Sequence, residues 1–163
     1  MMTFPVRLFP SLLLLACVGA MGTALITQYG FGLEPCILCF YQRIPYVVAG
    51  VLAVIALSSK VPVRGKIVLI ALCALAFAID SGIAFYHVGV EHHWWESACV
   101  GGVNPEANSA EALKALLAGP PPVPCDRIPW SVFGISMAGY NALFTCGLAV
   151  FSVWAARTLK RQA

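Results

Sequence analysis

The sequence predicts an all-α membrane protein, a four-helix transmembrane bundle with two outer loops and a short surface helix in the second. Three observations carry this. Of the 163 residues, 60% are apolar and only 10% are charged, whereas a soluble domain keeps about a quarter of its residues charged. The few charges cluster, so that Arg7 to Glu34, Arg43 to Lys60, Lys66 to Asp80 and Arg127 to Arg157 bracket four uncharged stretches. Finally, alternate connections carry only basic charge. Arg7, the segment with Lys60, Arg64 and Lys66, and the tail with Arg157, Lys160 and Arg161 hold no acid.

By the positive-inside rule those three basic segments lie in the cytoplasm, and both termini with them. The first and last uncharged stretches are long enough for the roughly 20 helical residues that cross a bilayer. The second reaches across only if it starts near Cys39, and the third only if it continues past Asp80 towards His87. The spans are therefore about 8–27, 40–59, 66–87 and 130–155, in a single domain over 1–163, with outer loops at about 28–39 and 88–129. Length alone thus brings Cys39 and His87 to one membrane surface. A cleaved leader is the other reading of the first stretch, but its apolar run continues to Ile26, beyond a usual signal core.

Seven cysteines are distributed unevenly over this frame. Cys17, Cys73 and Cys146 fall deep in apolar runs and read as small packing residues. Cys36 and Cys39 fall at the first outer loop, and Cys99 and Cys125 in the second, on the side where disulfides persist. In Glu34-Pro35-Cys36-Ile37-Leu38-Cys39-Phe40-Tyr41-Gln42-Arg43 a proline turn gives way to an apolar run, so Cys36 and Cys39 should stand at a helix entrance. Unpaired N–H groups and the helix dipole there favour thiolate over thiol. Arg43, four residues beyond Cys39, adds a full positive charge on the same face.

The second outer loop is too long to be a mere connection. It opens with Tyr86-His87 and His92-His93-Trp94-Trp95, whose aromatics suit the membrane interface. Pro105 to Leu117 carries a helical pattern capped by Ser109, with Leu113, Leu116 and Leu117 on one face, and reads as the surface helix. Gly119 to Pro124 is an extended, polyproline-like arm ending at Cys125.

Three chemistries compete for the four outer cysteines. Zinc could take Cys36, Cys39, Cys99, Cys125 or the His92-His93 pair, but 25 residues separate Cys99 from Cys125, without paired ligand spacing, and no metal is expected. Inert staples are the second, and a non-enzymatic stapled membrane scaffold is the function they imply. The third is a dithiol relay, favoured by a helix-start C-x-x-C, whose strained disulfide is oxidising and labile.

Pro35 to Arg43, followed by Tyr86-His87, Cys99, Pro124-Cys125 and the run from Trp130 to Met137, resembles the DsbB family of quinone-linked disulfide-forming membrane proteins. The resemblance covers Leu8 to Trp154. It implies a thiol:quinone oxidoreductase of the bacterial inner membrane whose outer loops are periplasmic. Cys99 and Cys125 would form the disulfide that meets the partner, a soluble thioredoxin-fold oxidase of the DsbA type, with Cys99 entering the mixed disulfide. Cys125 would then attack the Cys36–Cys39 disulfide at Cys36, leaving Cys39 as a thiolate beside a quinone, ubiquinone or menaquinone. Arg43 would position the quinone, and His87 would lie near the same ring. The implied partners are the DsbA-type protein and the quinone pool, with no nucleic acid, and the chain would act as a monomer. A reductant-importing membrane protein is the enzymatic alternative; only the unpaired Cys17, Cys73 and Cys146 would serve its cytoplasmic side. Ala138 and Tyr140 stand where the family often has Pro and Trp, and Gln42 where some relatives carry an acid.

A quinone would answer an energetic need. DsbA, itself the established example of this chemistry, sits at about −120 mV, so a structural disulfide at about −300 mV would oxidise it only at a cost of roughly 8 kcal/mol. Asp80, inside the third span, is the one charge without an assignment: a proton relay to a reduced quinone is one reading, and a carboxylate close enough to the outer interface to be hydrated is the favoured one.

Overall fold

The computed structural model describes residues 3–95 and 123–162. Helix α1 (Thr3–Leu25) continues into a π-helical turn (Ile26–Gly30) and is followed by α2 (Ile37–Leu57) and α3 (Val63–Glu91). A two-stranded antiparallel hairpin, β1 (Ser131–Val132) and β2 (Ile135–Ser136), leads into α4 (Met137–Gln162). All four helices are long and apolar enough to cross a membrane. The chain is a multi-pass helical membrane bundle, as the charge pattern predicts.

Packing follows membrane rather than aqueous logic. Lipid is as apolar as leucine, so helices gain by bringing small residues together and leaving large ones outside. Accordingly Ala49, Ala53 and Ala56 of α2 are fully buried, while Val47, Val51 and Val54 are exposed on its other side. The main core joins Phe9, Leu13 and Cys17 of α1 to Tyr46 of α2, Ile70, Cys73 and Phe77 of α3, and Ala155 and Leu159 of α4. Helix α3 packs most extensively on α4 and α2, and α1 lies against α2. Cys17 and Cys73 are core residues as expected, whereas Cys146 is exposed on α4 and faces outward.

Several element boundaries differ from the sequence reading, two of them next to the site. The fourth span begins at Met137, not near residue 130, because Phe133 and Gly134 both take positive φ, 51° and 78°, and turn the chain into the hairpin. Positive φ at both central residues is the type I′ pattern, whose twist matches paired strands. The third span runs to Glu91 rather than ending near His87. It stops in a Schellman motif: the N–H of Trp94 donates to Gly89 O at 2.8 Å and that of His93 to Val90 O at 3.1 Å. His93 takes the left-handed position, φ 57°, usually given to glycine. Trp95 then folds back, its ring stacked on Tyr86 at 5.6 Å and its indole N–H donating to Tyr86 O. The expected surface helix over Pro105 to Leu117 and most of the polyproline arm lie outside the described residues.

Candidate active site

Cys36 is the N-cap of α2, in extended conformation, and its Sγ accepts the backbone N–H of Cys39 at 3.4 Å. Capping satisfies one of the helix's four orphan donors and fixes the sulfur in the positive end of its dipole. Cys36 and Cys39 are free thiols whose sulfurs lie 3.0 Å apart and share a hydrogen bond. From the opposite side His87 of α3 brings Nε2 to 3.6 Å from Cys36 Sγ. The hydrogen bond from Cys39, the contact with His87 and the Cys39 N–H together hold the Cys36 thiol far below its ordinary range, at about 4, against the opposing effect of burial.

Behind His87 a polar chain runs into the bundle. Gln42 Nε2 meets His87 Nδ1 at 3.0 Å, and Gln42 Oε1 accepts from Asn141 Nδ2 at 2.8 Å. Asn141 Nδ2 also donates to Asp80 Oδ2 at 3.3 Å, while the Tyr46 hydroxyl donates to Asn141 Oδ1 at 2.6 Å. Asp80 is fully buried, which corrects the expectation of a hydrated carboxylate: α3 extends one turn beyond His87, so Asp80 sits deeper and faces α4. A second branch leaves His87 for Glu91, whose Oε1 is 4.0 Å from Nε2. Glu91 accepts a short hydrogen bond from Ser136 Oγ, which in turn accepts the N–H of Gly139 and so caps α4.

The other sequence-singled residues fall around this centre. Cys125 is buried and disulfide-bonded, and it packs in one apolar cluster with Cys36, Leu38 and Val90, with Tyr86 and Val123 alongside. Cys99 lies outside the described residues. Arg43 is directed at the π-helical turn, where its Nη1 donates to Gln28 Oε1 at 2.7 Å, and its guanidinium lies 5.0 Å from the Phe40 ring centroid. Sequence reasoning missed Gln28, Asn141, Glu91 and Ser136 and left Gln42 without a role. A polar Asn in an apolar span was the one available signal.

Chemically, the arrangement is a polarised dithiol with a third cysteine, Cys125, in the same buried cluster. Cys36 Sγ, Cys39 Sγ and a ring nitrogen of His87 also lie within 4.8 Å of one another, a donor set of the kind zinc takes.

The family model for "Disulfide bond formation protein DsbB" matches residues 6–155, nearly the whole chain. This chain belongs to the DsbB family. Among curated DsbB relatives, disulfide bond formation protein B of Xylella fastidiosa (strain 9a5c) is 33% identical over 85% of this chain and 83% of its own length. That of Xanthomonas axonopodis pv. citri is 29% identical over 91% and 89%, and disulfide bond formation protein B 2 of Pseudomonas savastanoi pv. phaseolicola is 31% identical over 86% and 82%. No solved structure matches. Family and fold together make this DsbB-family chain a membrane protein of disulfide bond formation.

Proposed function

We propose that this chain reoxidises a periplasmic DsbA-type dithiol and passes the two electrons to a membrane quinone. What carries the reading is the packing of Cys125 in one cluster with Cys36, beside a Cys39 that shares a hydrogen bond with Cys36. Disulfide exchange needs an in-line approach of one thiolate to a disulfide sulfur, and that cluster brings Cys125 and Cys36 into one buried patch. With Cys99–Cys125 and Cys36–Cys39 both oxidised, a partner thiolate attacks Cys99 Sγ and Cys125 leaves as thiolate. Cys125 then attacks Cys36 Sγ, the Cys36–Cys39 bond breaks, and Cys39 leaves as thiolate. The partner's second thiolate displaces Cys99 and closes the partner's own disulfide. The freed Cys99 thiolate then attacks Cys125 Sγ, which re-forms Cys99–Cys125, and Cys36 leaves as thiolate, so that Cys36 and Cys39 hold the two electrons.

The residues present fit a quinone. Arg43 is a cation at the outer end of α2, flanked by exposed apolar Phe40 and Ile44, so one ligand can meet charge and lipid-facing surface together. When bound, a quinone supplies a two-electron acceptor. Arg43 is the residue that would hold it and balance negative charge there, with Gln28 fixing the guanidinium. His87 stands behind the Cys36 sulfur on the same side of the bundle. On this reading the loops carrying these cysteines are periplasmic and both termini are cytoplasmic, in the bacterial inner membrane.

The test is quinone reduction followed by absorbance when purified protein in detergent receives a reduced DsbA-type partner. Native protein should turn over and Cys39→Ser should not. Four outer cysteines that stay oxidised and resist the partner would make the C-x-x-C architectural instead.

A further inference from the structure

Asp80 has no part in the exchange chemistry, yet the bundle holds it at a cost. It is fully buried, its Oδ1 has no hydrogen-bond partner, and among the described residues no cation pairs with it. A buried carboxyl with an orphan oxygen is destabilising. Among the described residues its hydrogen-bond partner is Asn141, which begins the chain that ends at the active sulfur.

We propose that Asp80 is a positioning residue that fixes the direction of this hydrogen-bond chain, so that His87 presents Nε2–H to the Cys36 sulfur. An ionised Asp80, or one that carries its proton on the unpartnered Oδ1, only accepts at Oδ2, so it selects the NH2 end of the Asn141 amide, and Asn141 Oδ1 is left for the Tyr46 hydroxyl. The same NH2 then donates to Gln42 Oε1, which obliges Gln42 to turn its own NH2 towards His87 Nδ1. Nδ1 must therefore accept, and the neutral ring carries its proton on Nε2, 3.6 Å from Cys36 Sγ. Glu91 Oε1, 4.0 Å from the same nitrogen, favours the same tautomer from the other side. With Asp80 removed, both amides can turn over together. Gln42 then accepts from Nδ1–H, and Nε2 offers the sulfur a lone pair instead of a proton.

The inference rests on reading Cys36 and Cys39 as the redox pair, but it concerns the reduced protein alone.

The test needs neither partner nor electron acceptor, so its failure is distinct from failure of the proposed relay. Reduced full-length protein, 15N-labelled at histidine, is examined in detergent for the protonation pattern of His87, and the Cys36 thiol titration is followed by its 13Cβ shift. Native protein should show Nε2–H. Asp80→Leu removes the buried carboxyl, should fold at least as stably, and should populate Nδ1–H while raising the Cys36 titration midpoint by about one unit, a tenfold loss of thiolate at a pH below both midpoints. Gln42→Glu puts an acceptor against Nδ1 and should give Nδ1–H with Asp80 intact, which keeps the test open if Asp80→Leu does not accumulate. Nδ1–H in the native protein would overturn the proposal. So would an Asp80→Leu protein with the native His87 pattern and the native Cys36 midpoint.

Discussion

Cys36 Sγ and His87 Nε2 stand 3.6 Å apart although 51 residues separate them in the chain. Two helices had to end at one level for this to occur. Helix α2 begins at Ile37 with Cys36 as its cap, and α3 runs on past His87 to Glu91. The contact joins a helix start, where negative charge is favoured, to a ring that is held from behind by Gln42.

A stability consequence follows for the reduced protein. Its Cys36 thiol is lowered from 9.0 to about 4, chiefly by the Cys39 hydrogen bond and then by His87. Between those values the unfolded chain binds a proton at this position that the folded chain does not, so folding stability increases with pH across that window. The contribution is complete above about pH 9 and is lost as pH falls through about 4. Thermal unfolding under reductant at pH 5 and pH 8 should show the native protein gaining stability over Cys36→Ser at the higher pH. Parallel pH profiles for the two proteins would refute this assignment.

Arg43 should act on acceptor binding more than on folding. Its guanidinium is fixed by Gln28 and by the Phe40 ring, so it is poised without being needed as a core contact. A hydrogen bond to a charged group contributes about 1.5–3 kcal/mol, so Arg43→Ala should raise the apparent KM for quinone by roughly 10- to 100-fold. Gln28→Ala should raise it less, by loosening the guanidinium. A kcat loss at unchanged KM would place Arg43 outside the acceptor site.

How much of this was legible follows from which forces act locally. The four spans, the helix-start position of Cys36 and the placing of Cys39 and His87 at one membrane surface came from hydropathy, charge and length, which a single stretch of chain encodes. The hairpin at 131–136 did not, because Phe133 in a left-handed conformation gives no turn signal of the Asn-Gly kind. Nor did the chain from Gln42 through Asn141 to Asp80. It joins three helices, and each polar residue taken alone in an apolar span reads as an interfacial or hydrated group. Ser136 capped the fourth helix unseen because the span appeared to start before it.

Gly89 is expected to be intolerant of a side chain for a specific reason. A Cβ there would run into the Trp95 ring, which stacks on Tyr86. Gly89→Ala should expel the indole and cost about 1–3 kcal/mol, the usual range for overpacking. In a Trp95→Ala background the same change should be nearly neutral, since the clash is gone, and a double-mutant cycle of unfolding free energies in mixed micelles reads the difference. Equal costs in both backgrounds would mean that the indole is not packed on Gly89.

Ser136 ties the active end of α3 to the start of α4. Its hydroxyl accepts the Gly139 N–H and donates to buried Glu91, so a single oxygen serves a cap and a carboxyl at once. Removing a serine cap costs about 1 kcal/mol, and leaving a buried acceptor without its donor adds about 1–3 kcal/mol. Ser136→Ala should therefore destabilise by more than a cap alone, and part of the excess should disappear when Glu91→Leu removes the stranded carboxyl. Because Glu91 also lies 4.0 Å from His87 Nε2, Ser136→Ala should shift the Cys36 thiol titration as well as the unfolding free energy. The two readouts separate the roles: a stability loss with the Cys36 titration unmoved would leave Ser136 as a helix cap and nothing more, with Glu91 uncoupled from the sulfur site.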